Sequence, residues 1–203
     1  MGRVKNLDEI KAMVLSRTGK RNTFRHAKIA DVQSVLANLT SKDPELWAKE
    51  WSRVAKPYEE QGAQFEKEGK FPQARAAYVQ AYCYYATGRY PTPHTPGKMA
   101  CFHKSLEVYE KAGKYFTPPL ERIEINAAAG NIPIYVRVPK DGQRHCIVIN
   151  FGGIDSFKAE SYEYDEGLQK AGMAICAVDI PGVGECPIKA SPTADSIFSA
   201  VID

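Results

Sequence analysis

The residues with the clearest chemical potential in this 203-residue chain lie in two glycine-rich turns, each directly after an apolar run. In the first turn, Gly152–Asp155, paired glycines allow a backbone path that a Cβ would obstruct. Acyl transfer needs N–H groups aimed at the oxygen where negative charge develops, and a glycine turn presents such groups. We therefore predict that Gly152, Gly153 and Ile154 form the oxyanion-hole part of a catalytic site. A tight turn without a chemical role is the alternative.

The second turn, Asp179–Gly184, resembles two nucleotide-binding motifs, but the partners that both motifs require are missing. A GTPase switch turn needs an upstream G-x-x-x-x-G-K-[ST] phosphate loop, and none of the four Gly-Lys pairs in this chain is followed by Ser or Thr. A dinucleotide fingerprint needs a third glycine that opens a helix, whereas Gly182-Val-Gly184 is followed by Pro187. Both nucleotide-binding functions are therefore disfavoured.

Four residues are predicted to contact a substrate: Tyr90, His94, Asp155 and Asp179. Tyr90 and His94 belong to the loop Arg89–Gly97, whose three prolines forbid regular structure but limit its conformations. Asp155 and Asp179 also suit a turn-stabilising role, because aspartate caps turns through nearby backbone amides. Both interpretations of the aspartates stay open at this point.

The two turns follow the strands of one predicted parallel unit. The apolar run Cys146–Phe151 is typical of a strand buried on both faces of a sheet. A helix is predicted from about Glu160 to Ala171, closed by Gly172, and a second apolar run, Met173–Val178, follows. Strand, helix and strand in succession place both turns at the carboxyl ends of neighbouring parallel strands, where open α/β sheets bind ligands.

The segments on either side of this unit complete the predicted sheet domain. Ile123 and Ile125 alternate with charged residues, and apolar residues alternate again over Ile132–Val138, which predicts an antiparallel pair. After the unit, Ser191-Pro192 predicts a helix start. The chain then reaches Asp203 while the predicted sheet still has an open apolar edge, so we expect the coding sequence to continue.

Residues 1–117 predict an all-α domain, and residues 118–203 the sheet domain, with Pro118-Pro119 at the boundary. Asp43 is the predicted N-cap of a long helix with Pro44 at its first position, and Pro57 is expected to kink or split that helix. Tyrosines in the following helix are predicted to pack in the core or, at Tyr84, to line a substrate pocket. The predicted helices cover about Leu7–Arg17, Phe24–Leu39, Asp43–Gly69, Pro72–Gly88 and Lys98–Tyr115.

Composition excludes several classes of function. The net charge of +3, without a basic cluster interleaved with aromatics, argues against nucleic acid and against an anionic membrane as partners. The cysteines are five in number and lack C-x-x-C spacing, so reduced and buried thiols are expected rather than a metal site. The N-terminus lacks the apolar core of a signal peptide, which predicts a cytoplasmic protein.

The two turns after an antiparallel pair resemble the first half of an α/β-hydrolase. The helical platform makes the resemblance more specific, because four segments look like the subgroup with an all-α N-terminal domain: Lys70–Tyr78, Gly88–Pro91, Pro119–Glu124 and Ile132–Pro139. That subgroup includes the fermentation–respiration-switch esterase-like proteins, 2,6-dihydroxypseudooxynicotine hydrolase and the fungal heptaketide pigment hydrolases. The resemblance covers nearly the whole chain and weakens before about Lys42.

The resemblance implies a serine hydrolase with a Ser, Asp and His triad that acts on an ester or on a carbon–carbon bond next to a ketone. It implies no cofactor and a small-molecule substrate, with an aromatic one among the candidates; a homodimer is left open. No G-x-S-x-G occurs in the 203 residues, so the triad is expected beyond Asp203 and this chain alone is expected to be inactive. None of the following serines is assigned as nucleophile: Ser156, Ser161 and Ser196.

A non-catalytic interaction protein is the second class of function that the sequence allows. Helices with Ala and Tyr at repeat-like positions, as in Ala74–Tyr85 and Ser105–Ala112, resemble tetratricopeptide pairs, which bind peptides. Against this alternative, no 34-residue period recurs, although a solenoid needs about three repeats to bury its core. A G-x-S-x-G motif after a strand in the next stretch of coding sequence would decide for the enzyme.

Overall fold

The computed structural model describes residues 4–21, 23–127 and 130–202. It divides into two compact units, Met1–Ala112, here called the helical unit, and Gly113–Asp203, here called the sheet unit. No helix in the described ranges is long and apolar enough to span a bilayer.

The described residues of the helical unit form five helices, of which the long third and fourth pack against each other as an antiparallel pair. As predicted, Asp43 caps the third helix, since its Oδ1 accepts a hydrogen bond from the Glu45 amide at 3.0 Å. Gly69, with φ of +69°, lies in the short turn between the pair. The helices are α1 Leu7–Arg17, α2 Ile29–Asn38, α3 Pro44–Lys67, α4 Phe71–Arg89 and α5 Pro96–Gly113.

Aromatic side chains form the centre of the helical unit. Trp51 is fully buried and stacks on Tyr84 at 6.0 Å between ring centroids, while Phe24 packs on its other side at 6.0 Å. The predicted core role of Tyr78 and Tyr85 is confirmed, since each is at most 5% exposed. Tyr84 is fully buried as well, so the prediction that it lines a substrate pocket is wrong.

Two predictions about these helices need correction. Pro57 does not split α3, which is continuous from Pro44 to Lys67, because buried residues on both sides of the proline, such as Val54 and Gly62, hold the helix in place. The second helix begins at Ile29 rather than at about Phe24. Phe24 lies in a turn before the helix, where its own amide donates a hydrogen bond to the Arg21 carbonyl.

The sheet unit contains a four-stranded sheet with the order β1-β2-β4-β3. Its strands are β1 Glu121–Ala127, β2 Gly130–Arg137, β3 Ile147–Phe151 and β4 Ala174–Val178. The predicted antiparallel pair β1/β2 and the predicted parallel pair β3/β4 are confirmed, and β2 joins them by pairing antiparallel with β4. The carboxyl ends of β3 and β4 are therefore adjacent, with Phe151 opposite Val178.

Helices lie on both faces of the sheet. Successive side chains of a strand point to opposite faces, so each face has apolar side chains that a helix can cover. On one face, Ile134, Cys176 and Val178 form a core with Ile197 of α7 (Ser196–Ile202). On the other face lie a 3₁₀ turn (Lys158–Ser161) and α6 (Tyr162–Lys170), joined to the sheet by contacts such as Asn150 Nδ2 to Asp165 Oδ1 at 2.9 Å.

Three predictions about the sheet unit need correction. β3 is not buried on both faces, since it lies at the edge of the four strands and Ile147 and Phe151 are more than half exposed; β2 and β4 are the inner strands, and β4 is buried throughout. Helix α7 begins at Ser196, five residues after the predicted start at Ser191, because residues 192–195 form turns. Cys146, expected to be buried, is exposed.

Candidate active site

The first glycine turn leaves the end of β3 and folds tightly back on itself. A Cβ on Gly152 would overlap the backbone carbonyl oxygen of Ser156, so only glycine fits at this position. A Cβ on Gly153 would meet no atom within 4 Å, and Ile154 is 78% exposed. The tight turn thus pushes the next two residues outward into open space.

The amides of Gly153 and Ile154 are available to a ligand. In the ranges that the structure describes, neither N–H donates a hydrogen bond. The Gly153 carbonyl, in contrast, accepts a hydrogen bond from the Ser156 amide at 3.4 Å. An oxyanion hole requires unbonded backbone donors, and this turn would supply part of one. The oxyanion role of these residues stays a prediction, and their geometry is compatible with it.

The second glycine turn wraps around the carboxylate of Asp179, which directly follows β4. Asp179 is 2% exposed, and its Oδ2 accepts a hydrogen bond from the Glu185 amide at 3.0 Å. Gly184, with φ of +56°, contacts the same carboxylate so closely that a Cβ would overlap it. The glycine is therefore needed both for its conformation and for the close approach.

A buried lysine joins the two turns. Lys158 begins the 3₁₀ turn after the first glycine turn, and its side chain is 0% exposed. Its backbone amide donates to Asp179 Oδ1 at 2.7 Å, and its Nζ donates to Asp179 Oδ2 at 2.9 Å and to Glu185 Oε2 at 2.6 Å. The Nζ also lies 5.0 Å from the centre of the Tyr135 ring, within cation–π range.

Glu185 extends this ionic network to β1. Arg122 Nη1 donates to Glu185 Oε2 at 2.8 Å and Arg122 Nη2 donates to Oε1 at 3.0 Å, which is a bidentate pair. Burial alone would raise the pKa of Glu185, but the hydrogen bond from Arg122 and the charge of Lys158 outweigh it, so its pKa lies below the ordinary value. Glu185 is therefore an anion at neutral pH.

The candidate substrate contacts fall in two places. Asp155 is exposed beside the first turn, whereas the burial and hydrogen bonds of Asp179 favour its turn-stabilising role. Tyr90 and His94 lie in the helical unit, where both line one pocket of about 320 Å³. Substrate contact by all four residues stays a prediction.

That pocket is mostly apolar and aromatic, with a few polar groups. Lys98 closes one side, where its Nζ donates to the Tyr90 carbonyl at 2.5 Å, and burial lowers its pKa. The remaining lining residues are Leu7, Ile10, Met13, Phe24, Leu39, Ser41, Lys42, Asp43, Pro44, Trp47 and Pro91. A pocket with this lining suits the ring of a small aromatic molecule.

The sequence pattern located both glycine turns but gave no sign of Lys158. A single lysine between Phe157 and Ala159 is unremarkable in a sequence, and its burial depends on carboxylates 21 and 27 residues further along the chain. Three His, Cys, Asp or Glu side chains that could hold a metal ion do not come together anywhere in the described ranges.

Comparisons with known proteins agree with the predicted resemblance. The family model described as esterase FrsA-like matches residues 27–199. The protein 2,6-dihydropseudooxynicotine hydrolase of Paenarthrobacter nicotinovorans is 38% identical over 82 residues, which are 40% of this chain and 22% of that protein. The alpha/beta hydrolase ucsC of an Acremonium species is 26% identical over 196 residues, with 86% of this chain and 40% of the relative covered.

Solved structures show the same fold. The crystal structure of 2,6-dihydroxy-pseudo-oxynicotine hydrolase superimposes with a TM-score of 0.74 at 23% identity, over 96% of this chain and 52% of that one. Wild-type AbyA5 superimposes with a TM-score of 0.70 at 22% identity, over 98% of this chain and 51% of AbyA5.

The chain thus spans about half the length of these solved structures and less of the curated relatives. The predicted fold class, an all-α N-terminal domain followed by the first half of an α/β-hydrolase sheet, is confirmed. Because the family model matches most of its length, this chain belongs to the esterase FrsA-like family.

Proposed function

We propose that the protein containing this chain is a cofactor-independent serine hydrolase that cleaves an ester or a carbon–carbon bond next to a ketone. The observation that carries the proposal is the pair of amides of Gly153 and Ile154, two exposed residues at the carboxyl end of β3, next to the turn after β4; within the described ranges these amides are unbonded. Family membership supports a hydrolase, and the amides supply a group that such chemistry needs.

In this proposal the serine, aspartate and histidine of the triad are contributed by chain beyond Asp203. The serine hydroxyl attacks the substrate carbonyl carbon and gives its proton to the histidine, and the amides of Gly153 and Ile154 bind the oxygen that becomes negative. Collapse of that intermediate expels the leaving group, which takes the proton from the histidine, and water then releases the acyl group. The 203-residue chain alone lacks the nucleophile and is expected to be inactive.

The pocket of Tyr90 and His94 is proposed to hold an aromatic part of the substrate, because its lining is aromatic and its size suits a ring. Tyr90→Ala and His94→Ala in the full-length protein should each raise KM for an aromatic ester. Unchanged KM and kcat in both variants would remove these residues from the substrate site.

A fluorophosphonate probe tests the main proposal. The full-length protein should be labelled at a serine within G-x-S-x-G, whereas the 203-residue chain should stay unlabelled. A folded full-length protein that resists the probe would disprove a serine hydrolase and would favour the peptide-binding alternative, which nothing in the comparisons favours at present.

A further inference from the structure

We propose that Lys158 is a positioning residue that fixes the two glycine turns relative to each other and so holds the amides of Gly153 and Ile154 in place. This inference rests on the proposed hydrolase function, and it assigns to Lys158 no contact with substrate. Its starting point is a charged side chain that is 0% exposed between two carboxylates.

Lys158 is bonded to the second turn through both its backbone and its side chain. The amide and the Nζ donate to different oxygens of Asp179, at 2.7 and 2.9 Å, so the carboxylate is held by two points of one residue. The Nζ also reaches Glu185 at 2.6 Å, on the far side of the same turn. Asp179 and Glu185 thereby fix where Lys158 lies.

The position of Lys158 also determines where the first turn lies, because only two residues of backbone separate the lysine from Asp155. Ser156 precedes the lysine by two residues, and the Ser156 carbonyl is the group against which Gly152 packs without room for a Cβ. A displaced Lys158 would move Ser156, and the tightly packed Gly152 would have to follow. Among the residues that the structure describes, the amides of Gly153 and Ile154 have no hydrogen-bond acceptor to keep them in place.

The charges of the network explain why positioning is a better account than stability alone. Lys158 pairs with Asp179 and Glu185, and Arg122 pairs with Glu185 and, at 2.9 Å, with Glu124. Desolvating such groups offsets most of their attraction, and apolar residues in their place often stabilise a fold equally well. Hydrogen bonds from the buried Lys158 ammonium, in contrast, have defined directions. They hold the 3₁₀ turn, Asp179 and Glu185 in one geometry.

The test compares Lys158→Met with Glu166→Gln in the full-length protein. Glu166→Gln is the matched control, because it removes the charge that pairs with buried Arg137 at 2.9 Å, at the other end of the same strands and away from both turns. Turnover of p-nitrophenyl acetate and the rate of fluorophosphonate labelling are measured beside the thermal midpoint. Glu185→Gln, which removes one of the two carboxylates bound to Lys158, replaces Lys158→Met if the latter does not fold.

Lys158→Met should lower kcat and the labelling rate about 10- to 100-fold with KM changed less than about twofold, as expected for misplaced transition-state donors. Glu185→Gln should lower kcat about three- to tenfold, whereas Glu166→Gln should lower the thermal midpoint but leave kcat within about twofold. A folded Lys158 or Glu185 variant with wild-type kcat, or with a changed KM alone, would overturn the proposal.

Hydrogen exchange separates this inference from the proposed function. If the wild-type protein neither labels nor turns over, the hydrolase proposal fails, and the positioning role is judged by exchange of the backbone amides at positions 158 and 185. Lys158→Met, or Glu185→Gln in its place, should speed exchange there at least about tenfold more than Glu166→Gln does, because both amides are bonded to Asp179. Equal exchange in the variant and the control would overturn the proposal.

Discussion

In the helical unit the Asp31 carboxylate accepts hydrogen bonds from the hydroxyls of Tyr58 and Tyr84, at 2.7 and 2.5 Å, whereas in the sheet unit the Asp179 carboxylate is bound by Lys158. Tyr85 also donates to a carboxylate of the helical unit, Glu59, at 2.7 Å, and Lys104 Nζ pairs with that carboxylate at 2.9 Å. Removing one tyrosine hydroxyl leaves Asp31 its other neutral donor, but removing the buried lysine leaves the Asp179 carboxylate without its cation. The two units should therefore respond differently to substitution and to pH.

The largest effect is expected for Lys158→Met, because it leaves Asp179 buried without its cation. Breaking a buried ion pair from one side typically costs about 3–5 kcal/mol of unfolding free energy. Urea unfolding of the full-length protein, followed by circular dichroism, measures the loss, and hydrogen exchange of β4 assigns it to the sheet unit. A loss no greater than that of a Tyr→Phe variant in the helical unit would break the comparison.

The next effect is expected at the first glycine turn. Gly152→Ala places a methyl group against a backbone carbonyl that cannot rotate away, so the turn must move and the amides that follow it are misplaced. We expect a loss of about 10²- to 10³-fold in kcat, comparable to the removal of one oxyanion donor. Gly167→Ala in α6 is the control, since its methyl group meets open space away from both glycine turns. Equal losses in both variants would contradict the steric account.

Much of the sheet unit could be predicted because its signals are local. The alternation in Ile132–Val138 and the glycine turns after β3 and β4 depend only on neighbouring residues, and both were located correctly. The same holds for the cap of α3 at Asp43, where three consecutive residues carry the signal.

Features that depend on distant residues were missed. The edge position of β3 follows from β2 pairing with β4, which no local pattern of Cys146–Phe151 encodes. The buried position of Lys158 was missed for the same reason, because only the fold brings Asp179 and Glu185 close to this lysine. Pro57 is a third case, since packing of α3 on its neighbours overrides the local cost of a proline.

A smaller effect is expected for Tyr84→Phe, which deletes one donor to Asp31 but leaves Tyr58 in place. The lost hydroxyl also accepts a hydrogen bond from the Lys28 amide at 3.0 Å, so two partners lose a bond. We expect about 1–3 kcal/mol of lost stability in urea unfolding. A neutral result would show that the hydroxyl bonds of the helical unit contribute nothing to its stability.

The same variant sharpens the comparison at alkaline pH. Burial, and then the hydrogen bond to Asp31, raise the pKa of Tyr84 above its ordinary value of 10.0. The unfolded chain thus releases this proton first, and stability that is complete below about pH 10 falls as pH rises towards the folded pKa. Unfolding between pH 9 and 11 should show a shallower decline in Tyr84→Phe than in the wild-type protein; identical slopes would contradict the assignment.

The smallest effect on stability is expected at His145, at the surface of the sheet unit, where a protonated imidazole pairs with the Asp141 carboxylate. Its Nε2 lies 2.7 Å from Asp141 Oδ1 and its Nδ1 lies 2.7 Å from the Gly172 carbonyl, so the ring bonds both acceptors only when both nitrogens carry protons. The hydrogen bond to Asp141, and then that to Gly172, raise the pKa of His145 above 6.5.

The contribution of His145 to stability is therefore complete below about pH 6.5 and is lost as pH rises through the folded pKa. Asp141→Asn keeps an oxygen acceptor but removes the negative charge, so the pKa of His145 should fall while the thermal midpoint changes little. NMR titration of the imidazole measures the shift, with His94 as an internal reference. An unchanged His145 pKa would mean that the Gly172 carbonyl, and not the Asp141 carboxylate, stabilises the protonated ring, so Asp141 would not belong with the carboxylates of the sheet unit that depend on a cation.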